Sequence, residues 1–236
     1  MYDLYERLKP LGRILNLKDQ GWTVWDCSPI WGDDGKVHVF AARWPDNERP
    51  DKTWFLGGSQ IIHAVAPKPE GPYEVVDIVM SRDGGDENWD SSGVINPKIY
   101  KVADGYCLLY TGTTAQSIGR QAIGMLKAPS LDGPWTRAGD QAPIFDRPGT
   151  CNNPALLQHP NGEFWLYFKN NRLHESGKVF FGLAIADHLE GPYRLHPHHP
   201  LIDPEIVKQY RKLEDPCVWQ DRKSTRLNSS HVRISY

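Results

Sequence analysis

The chain has 236 residues, 27 Lys+Arg against 29 Asp+Glu, and a formal net charge of −2. That length fits one large domain or at most two, and the balanced, interspersed charge excludes a nucleic-acid scaffold, which needs a basic stripe to displace counterions. No run approaches the ~18 consecutive apolar residues of a membrane span. Nine Trp, 10 Tyr, 21 Gly and 19 Pro point to an all-β chain with many turns and wide aromatic surfaces.

The N-terminus, Met1-Tyr2-Asp3-Leu4-Tyr5-Glu6-Arg7, lacks the basic-then-apolar layout of a signal peptide. As written the sequence reads as cytoplasmic; a start further upstream would make it periplasmic or secreted. The first repeating unit opens at Ser28-Pro29, turns at Asp34-Gly35 and runs into the dense strand Val37–Arg43. A small-residue run, Ile61-Ile62-His63-Ala64-Val65-Ala66, and the tripeptide Gly71-Pro72-Tyr73 follow it. The second unit repeats this order: Asn96-Pro97, Asp104-Gly105, Tyr106–Thr111, Ala122–Ala128 and Gly133-Pro134-Trp135. The third has Asn153-Pro154, Asn161-Gly162, Glu163–Lys169, Phe181–Ala186 and Gly191-Pro192-Tyr193. A fourth opening, Asp215-Pro216, comes after a stretch, Pro204–Leu213, whose proline suits a helix start.

Successive openings are 68, 57 and 62 residues apart, and the Gly-Pro-aromatic tripeptides 62 and 58. Two markers at one period, in phase, define a repeat. Asp-Gly and Asn-Gly are the pairs a tight β-hairpin selects, because glycine accepts positive φ. Strands such as Phe164-Trp165-Leu166-Tyr167-Phe168 are apolar on both faces and so belong between two packed layers. Four strands per unit of ~60 residues, stacked face to face, make a β-propeller with the first strand nearest the axis.

After Trp219-Gln220-Asp221 the repeat predicts glycine and another dense strand, but residues 222–236 are basic and Ser-rich with no acidic residue. Residues 1–221 therefore read as a partial propeller of about three complete four-stranded blades and the start of a fourth. Residues 222–236 read as an off-pattern tail foreign to the fold, and the chain as a C-terminally truncated fragment, inactive by itself. The four cysteines, Cys27, Cys107, Cys151 and Cys217, are too widely spaced for a metal motif and read as buried or semi-buried free thiols. The tract His196-Pro197-His198-His199 lies in a Pro-rich loop without carboxylate support and reads as solvent-exposed. With no phosphate loop, nucleophile elbow or zinc motif, neither a cofactor nor a metal is expected.

The opening Trp25-Asp26-Cys27-Ser28-Pro29-Ile30, with Asp34-Gly35-Lys36-Val37-His38-Val39-Phe40, resembles the first blade of the five-bladed propeller glycosidases. These are glycoside hydrolase family 43 and its relatives, including family 117. Trp89-Asp90, Asn96-Pro97-Lys98-Ile99, Ser130-Leu131-Asp132-Gly133-Pro134-Trp135, Asn153-Pro154-Ala155 and Glu214-Asp215-Pro216 extend the likeness over about residues 20–221. The resemblance implies an inverting glycoside hydrolase of plant or algal saccharides, with carboxylates at the axial ends of the first strands. Where family 43 opens its second and third blades with acidic residues, this chain has Asn96 and Asn153.

Glycoside hydrolysis needs two carboxyls, one protonated for the leaving oxygen and one ionised to activate water. Asp26 is the expected base. Asp215 or Glu214 is the expected acid; neighbours on a strand face opposite sides, so only one of them points at the axis. Asp90 would tune a neighbouring carboxyl through its charge. Asn96 and Asn153 would bond sugar hydroxyls, Trp25 and Trp89 would offer aromatic faces to the sugar, and Arg43 and His63 complete the expected binding set. Asp26, Asn96, Asn153 and Asp215 are expected to converge on the axis. A phosphorylase would need a convergent Arg/His/Lys cluster, for which only Arg43 and His63 come forward. A non-catalytic carbohydrate-binding propeller is favoured by the two asparagine openings. In every version the partner is a carbohydrate, with neither nucleic acid nor membrane.

Overall fold

The computed structural model describes residues 20–46, 58–81, 88–113, 121–147, 150–171, 179–201, 214–220, 225–228 and 233–235. The candidate helix over Pro204–Leu213 lies outside these. Blade one comprises β1 (Trp22–Trp31), β2 (Val37–Pro45), β3 (Gln60–Ala66) and β4 (Glu74–Ser81). Blade two comprises β5 (Gly93–Val102), β6 (Gly105–Thr113), β7 (Gln121–Ala128) and β8 (Thr136–Arg137). Blade three comprises β9 (Cys151–Gln158), β10 (Phe164–Asn171), β11 (Val179–Ala186) and β12 (Arg194–Leu195). Each is a four-stranded antiparallel sheet in chain order, as a propeller blade requires. The fold is all-β, and among the described residues the one helical turn is the 3-10 segment Gly139–Gln141.

Two details depart from the repeat pattern. The outer strands β8 and β12 have only two residues each, against eight in β4. Within residues 222–236 lie two short strands, β14 (Thr225–Asn228) and β15 (Arg233–Ser235). These pair antiparallel with β13 (Cys217–Gln220) in a three-stranded fourth sheet. The cysteines also divide: Cys107 and Cys151 are buried, whereas Cys27 and Cys217 are exposed.

The second strands are buried along nearly their whole length because each is covered on both faces. Phe40 and Ile61 of blade one meet Leu108, Tyr110 and Leu126 of blade two. Leu109, Ile123 and Met125 of blade two meet Leu156, Leu166 and Phe168 of blade three. Large and small side chains alternate between neighbouring strands inside each blade: Tyr110 lies opposite Gly124, Phe168 opposite Gly182, and in blade one Ala41 opposite Ile62. This explains the small residues that recur in the third strand. The inner strands present their unpaired edge to the axis, and side chains of the preceding blade satisfy some of its backbone donors. The Val94 and Ile99 N–H groups donate to the Ser59 and Ser28 hydroxyls at 2.9 and 3.1 Å. The Asn153 and Leu156 N–H groups donate to the Thr111 and Tyr100 hydroxyls at 3.2 and 2.9 Å.

A Cβ added to Gly124 would lie 2.2 Å from the Tyr110 ring, which is fixed between two blades and cannot move away. Gly124→Ala should therefore destabilise the protein by about 1–3 kcal/mol through overpacking. Urea unfolding monitored by circular dichroism checks this, and an unchanged midpoint would show that the ring is free to shift.

Candidate active site

The site begins with a local irregularity repeated in every inner strand. Pairing of β1 with β2 slips between Trp25 and Cys27, and pairing of β5 with β6 slips between Ile95 and Lys98. Pairing of β9 with β10 slips between Asn152 and Ala155. The residue at each slip is Asp26, Asn96 or Asn153, and Asp215 holds the equivalent place ahead of β13. Their φ angles are +49°, +53°, +49° and +53°, in the left-handed region. Aspartate and asparagine tolerate that region better than other residues with side chains. A bulge there re-aims the side chain out of the strand's alternation. The Asx openings of the repeat are thus a backbone requirement that also sets the direction of a polar group.

The four side chains form one cluster. The Asn96 amide donates to the Asp26 carboxylate, and the Asn153 amide donates to that of Asp215. Burial pushes the Asp26 carboxyl up to about 6, and the nearby Asp215 carboxylate, with a smaller contribution from Glu214, adds to the rise. Lys98 and the Asn96 amide pull the other way. Asp26 of blade one and Asp215 at the fourth sheet are therefore electrostatic neighbours. Glu214 turns instead to the buried Lys169, whose ammonium donates to it at 2.9 Å. Lys98 and Lys169 are charged neighbours of the cluster that sequence reasoning overlooked. Lys98 stands two residues after the Asn96 opening, which was a usable signal, whereas Lys169 had none.

The other expected residues are distributed differently. Trp25 is 47% exposed beside Asp26, with its ring 6.3 Å from that of Trp44. Asp90 is buried away from the cluster, accepting from the Arg137 guanidinium at 2.5 and 3.0 Å and from the Tyr110 hydroxyl at 2.7 Å. Trp89 stacks on Tyr110 with ring centroids 6.0 Å apart. The segment carrying both residues packs across the face of blade two, because Gly112 leaves room for it. Arg43 donates to the Gln60 side chain at 3.0 Å, and its guanidinium lies 4.1 Å over the Trp22 ring. His63 pairs with Phe40 across β2 and β3, and Arg43 pairs with Gln60 in the same unbroken register. Arg43 stands three positions after Phe40, an odd step along the strand, so Arg43 and His63 face opposite sides of blade one. They cannot form the convergent cationic cluster that a phosphorylase needs. Among the described residues no helix is long and apolar enough to cross a membrane.

No protein-family model and no curated protein matches this sequence. Solved structures match its fold. A family 117 glycoside hydrolase from the marine bacterium Zobellia galactanivorans has a TM-score of 0.74 at 20% identity, over 92% of this chain and 66% of that one. An α-L-arabinofuranosidase from Lactobacillus brevis has a TM-score of 0.64 at 13% identity, over 87% and 64% of the two chains. A family 43 β-xylosidase/α-arabinofuranosidase from a compost microbial metagenome, solved with xylotriose, also reaches 0.64, at 15% identity over 86% and 69%. The chain thus spans about two thirds of the length of these proteins. At such identities the likeness defines the fold: the β-propeller found in glycoside hydrolases of families 43 and 117.

A carboxyl held above its ordinary value weakens the fold wherever it is ionised. Below the ordinary value of 3.8 it is protonated folded and unfolded alike and has no effect; stability then declines as pH rises from there to about 6 and stays reduced above. Asp26→Asn should therefore stabilise the protein at pH 7, by roughly 1–3 kcal/mol for a displacement of this size, with the gain vanishing toward pH 4. Denaturant titrations of both proteins across this range check it. A variant no more stable than its parent at neutral pH would remove the assigned strain.

Proposed function

We propose that the Asp26–Asp215 cluster is the catalytic centre of a glycoside hydrolase acting with inversion on plant or algal oligo- and polysaccharides. One observation carries this reading: two carboxylates from different blades are coupled through space, and each is held by an amide from an adjacent blade. In the reaction, Asp26 takes a proton from water as its oxygen attacks the anomeric carbon, and Asp215, in its protonated form, gives that proton to the departing glycosidic oxygen. A base with an acid constant near 6 is ionised at neutral pH and more basic than an ordinary aspartate, which suits that task. Glu214 is paired with Lys169 and takes no part in the proton transfers. Asn96 and Asn153 orient the two carboxylates, and the exposed face of Trp25 offers a surface for the apolar side of a sugar ring. The structural neighbours that cleave arabinofuranosyl and xylosyl bonds support the choice of substrate class.

A second reading, a carbohydrate-binding module without turnover, is favoured by one observation: two of the four equivalent inner-strand positions carry amides. The test uses the protein with its propeller ring complete, the state in which activity is expected, with aryl α-L-arabinofuranoside, aryl β-D-xyloside and xylotriose, and the product anomer read by NMR. Hydrolysis with inverted product is expected, with kcat lower by about 10²–10⁴ in Asp26→Asn and xylotriose binding retained. Binding without turnover in either protein would select the second reading. Retained configuration, or full turnover in Asp26→Asn, would overturn the proposed roles.

A further inference from the structure

Lys169 is out of keeping with its place in blade three. On β10, Leu166 and Phe168 face blade two, while Trp165 and Tyr167 face the fourth sheet and pack in one group with Val218. Alternation puts Lys169 on the second of these faces, with its side chain only 10% exposed. Strand register identifies its counterparts. The residue just before the left-handed Asx is paired with Ala42 in blade one, with Thr111 in blade two and with Lys169 in blade three. A buried ammonium therefore stands where the other two blades bury small, neutral side chains. Taking that charge out of water is unfavourable unless it is paired.

Its partner is Glu214, the residue just before Asp215, and the ammonium donates to Oε1 at 2.9 Å. The same position in blade two makes an equivalent reach by a neutral route. There the Thr111 hydroxyl accepts from the backbone N–H of Asn153 at 3.2 Å. In both cases the second strand of one blade secures the left-handed residue that opens the next. The contact also has a counterpart in the reverse direction: Asn152, just before Asn153, donates to Gln121 of blade two at 2.8 Å. Blade three thus holds the opening of the fourth sheet at two consecutive residues, Glu214 through Lys169 and Asp215 through the Asn153 amide. With the Glu214 side chain drawn to β10, the Asp215 carboxylate is the one left to meet Asn153 and to couple with Asp26.

Resting on the reading of Asp26 as base and Asp215 as acid, we propose that Lys169 is the positioning residue for the acid: its ion pair with Glu214 fixes the backbone from which Asp215 reaches the glycosidic oxygen. Lys169 acts through Glu214 and takes no part in the chemistry itself. A proton donor is effective only at hydrogen-bond distance from the leaving oxygen, and a misplacement of about 1 Å lowers a rate on the order of 10²-fold. The exposed pair Lys101–Asp33, at 2.6 Å between blades one and two, has no such role, because neither partner adjoins a left-handed inner-strand residue.

The experiment uses the protein with its propeller ring complete and compares turnover of phenyl and 2,4-dinitrophenyl β-D-xylosides and α-L-arabinofuranosides. Dinitrophenolate departs without a proton, whereas phenolate depends on the acid, so a misplaced acid is felt by the phenyl glycosides alone. Lys169→Met should lower kcat on the phenyl glycosides by about 10²-fold, with KM little changed and far less effect on the dinitrophenyl glycosides. Glu214→Ala, at a half-buried position, should fold and show the same selective loss even if Lys169→Met does not fold. The double variant should lose no more than either single one, since all three remove one contact. Lys169→Arg keeps a charge-assisted bond to Glu214 and should recover most of the phenyl turnover, and Lys101→Met should behave as the parent. Equal losses on phenyl and dinitrophenyl glycosides, or unchanged turnover in both Lys169→Met and Glu214→Ala, would overturn the proposal. Asp215→Asn separates this from failure of the reading beneath it: a selective loss there with none in the other two variants removes only the role of Lys169. An Asp215→Asn variant without selective loss, or a parent without turnover, removes the assignment of the acid and the proposal with it.

Discussion

A left-handed Asp or Asn interrupts the inner strand at the same place in each blade, and the rest of the site depends on it. A strand of regular alternation would send that side chain into one of the packed faces between blades. The bulge frees one residue from the ladder and turns its polar group out of the packing. Because the three bulges and the left-handed Asp215 ahead of β13 hold equivalent places in the repeat, the four polar groups meet. Two of them are acids and two are amides, and each amide settles on an acid. The cluster is therefore assembled by backbone conformation first and by charge second.

Packing between blades holds these bulges in place. The aromatic rings of Tyr110 and Phe168 lie over glycines of the next strand, and hydroxyls of one blade accept hydrogen bonds from the inner strand of the next. The Asp90–Arg137–Tyr110 group adds a buried charge pair across blade two, tying the segment that leads into β5 to the blade's outermost strand. Breaking such a pair leaves an uncompensated charge inside the protein, so the group restrains the segment even though the pair adds little net stability. That segment runs directly into the strand bearing Asn96.

The periodic features were legible in the sequence because each has a local cause. Asx-Pro openings mark the left-handed bulges, Asp-Gly and Asn-Gly mark hairpins, and small-residue runs mark the strands beneath aromatic rings. What could not be read depends on contacts between distant segments. Asp90 stands beside an opening, and only Arg137, 47 residues later, removes it from the axis. Arg43 and His63 belong to strands joined by a long connection, so their opposite faces became apparent only once β2 and β3 were in register. The strands at 225–228 and 233–235 were missed because three or four residues are too few to show alternation.

Among the described residues, the side-chain hydroxyls that accept from the inner strand of a neighbouring blade all act in one direction. In each, a side chain of the earlier blade accepts from the backbone of the later one: Ser59 and Ser28 toward blade two, Thr111 and Tyr100 toward blade three. The acceptors of one blade are positioned by that blade's own strand pairing, and they set where the neighbouring inner strand must stop. The ring is therefore a chain of templates with a definite polarity, the same polarity in which a ribosome releases it. A blade emerging later meets a finished docking edge rather than an equal partner, and register passes around the axis from the first blade onward.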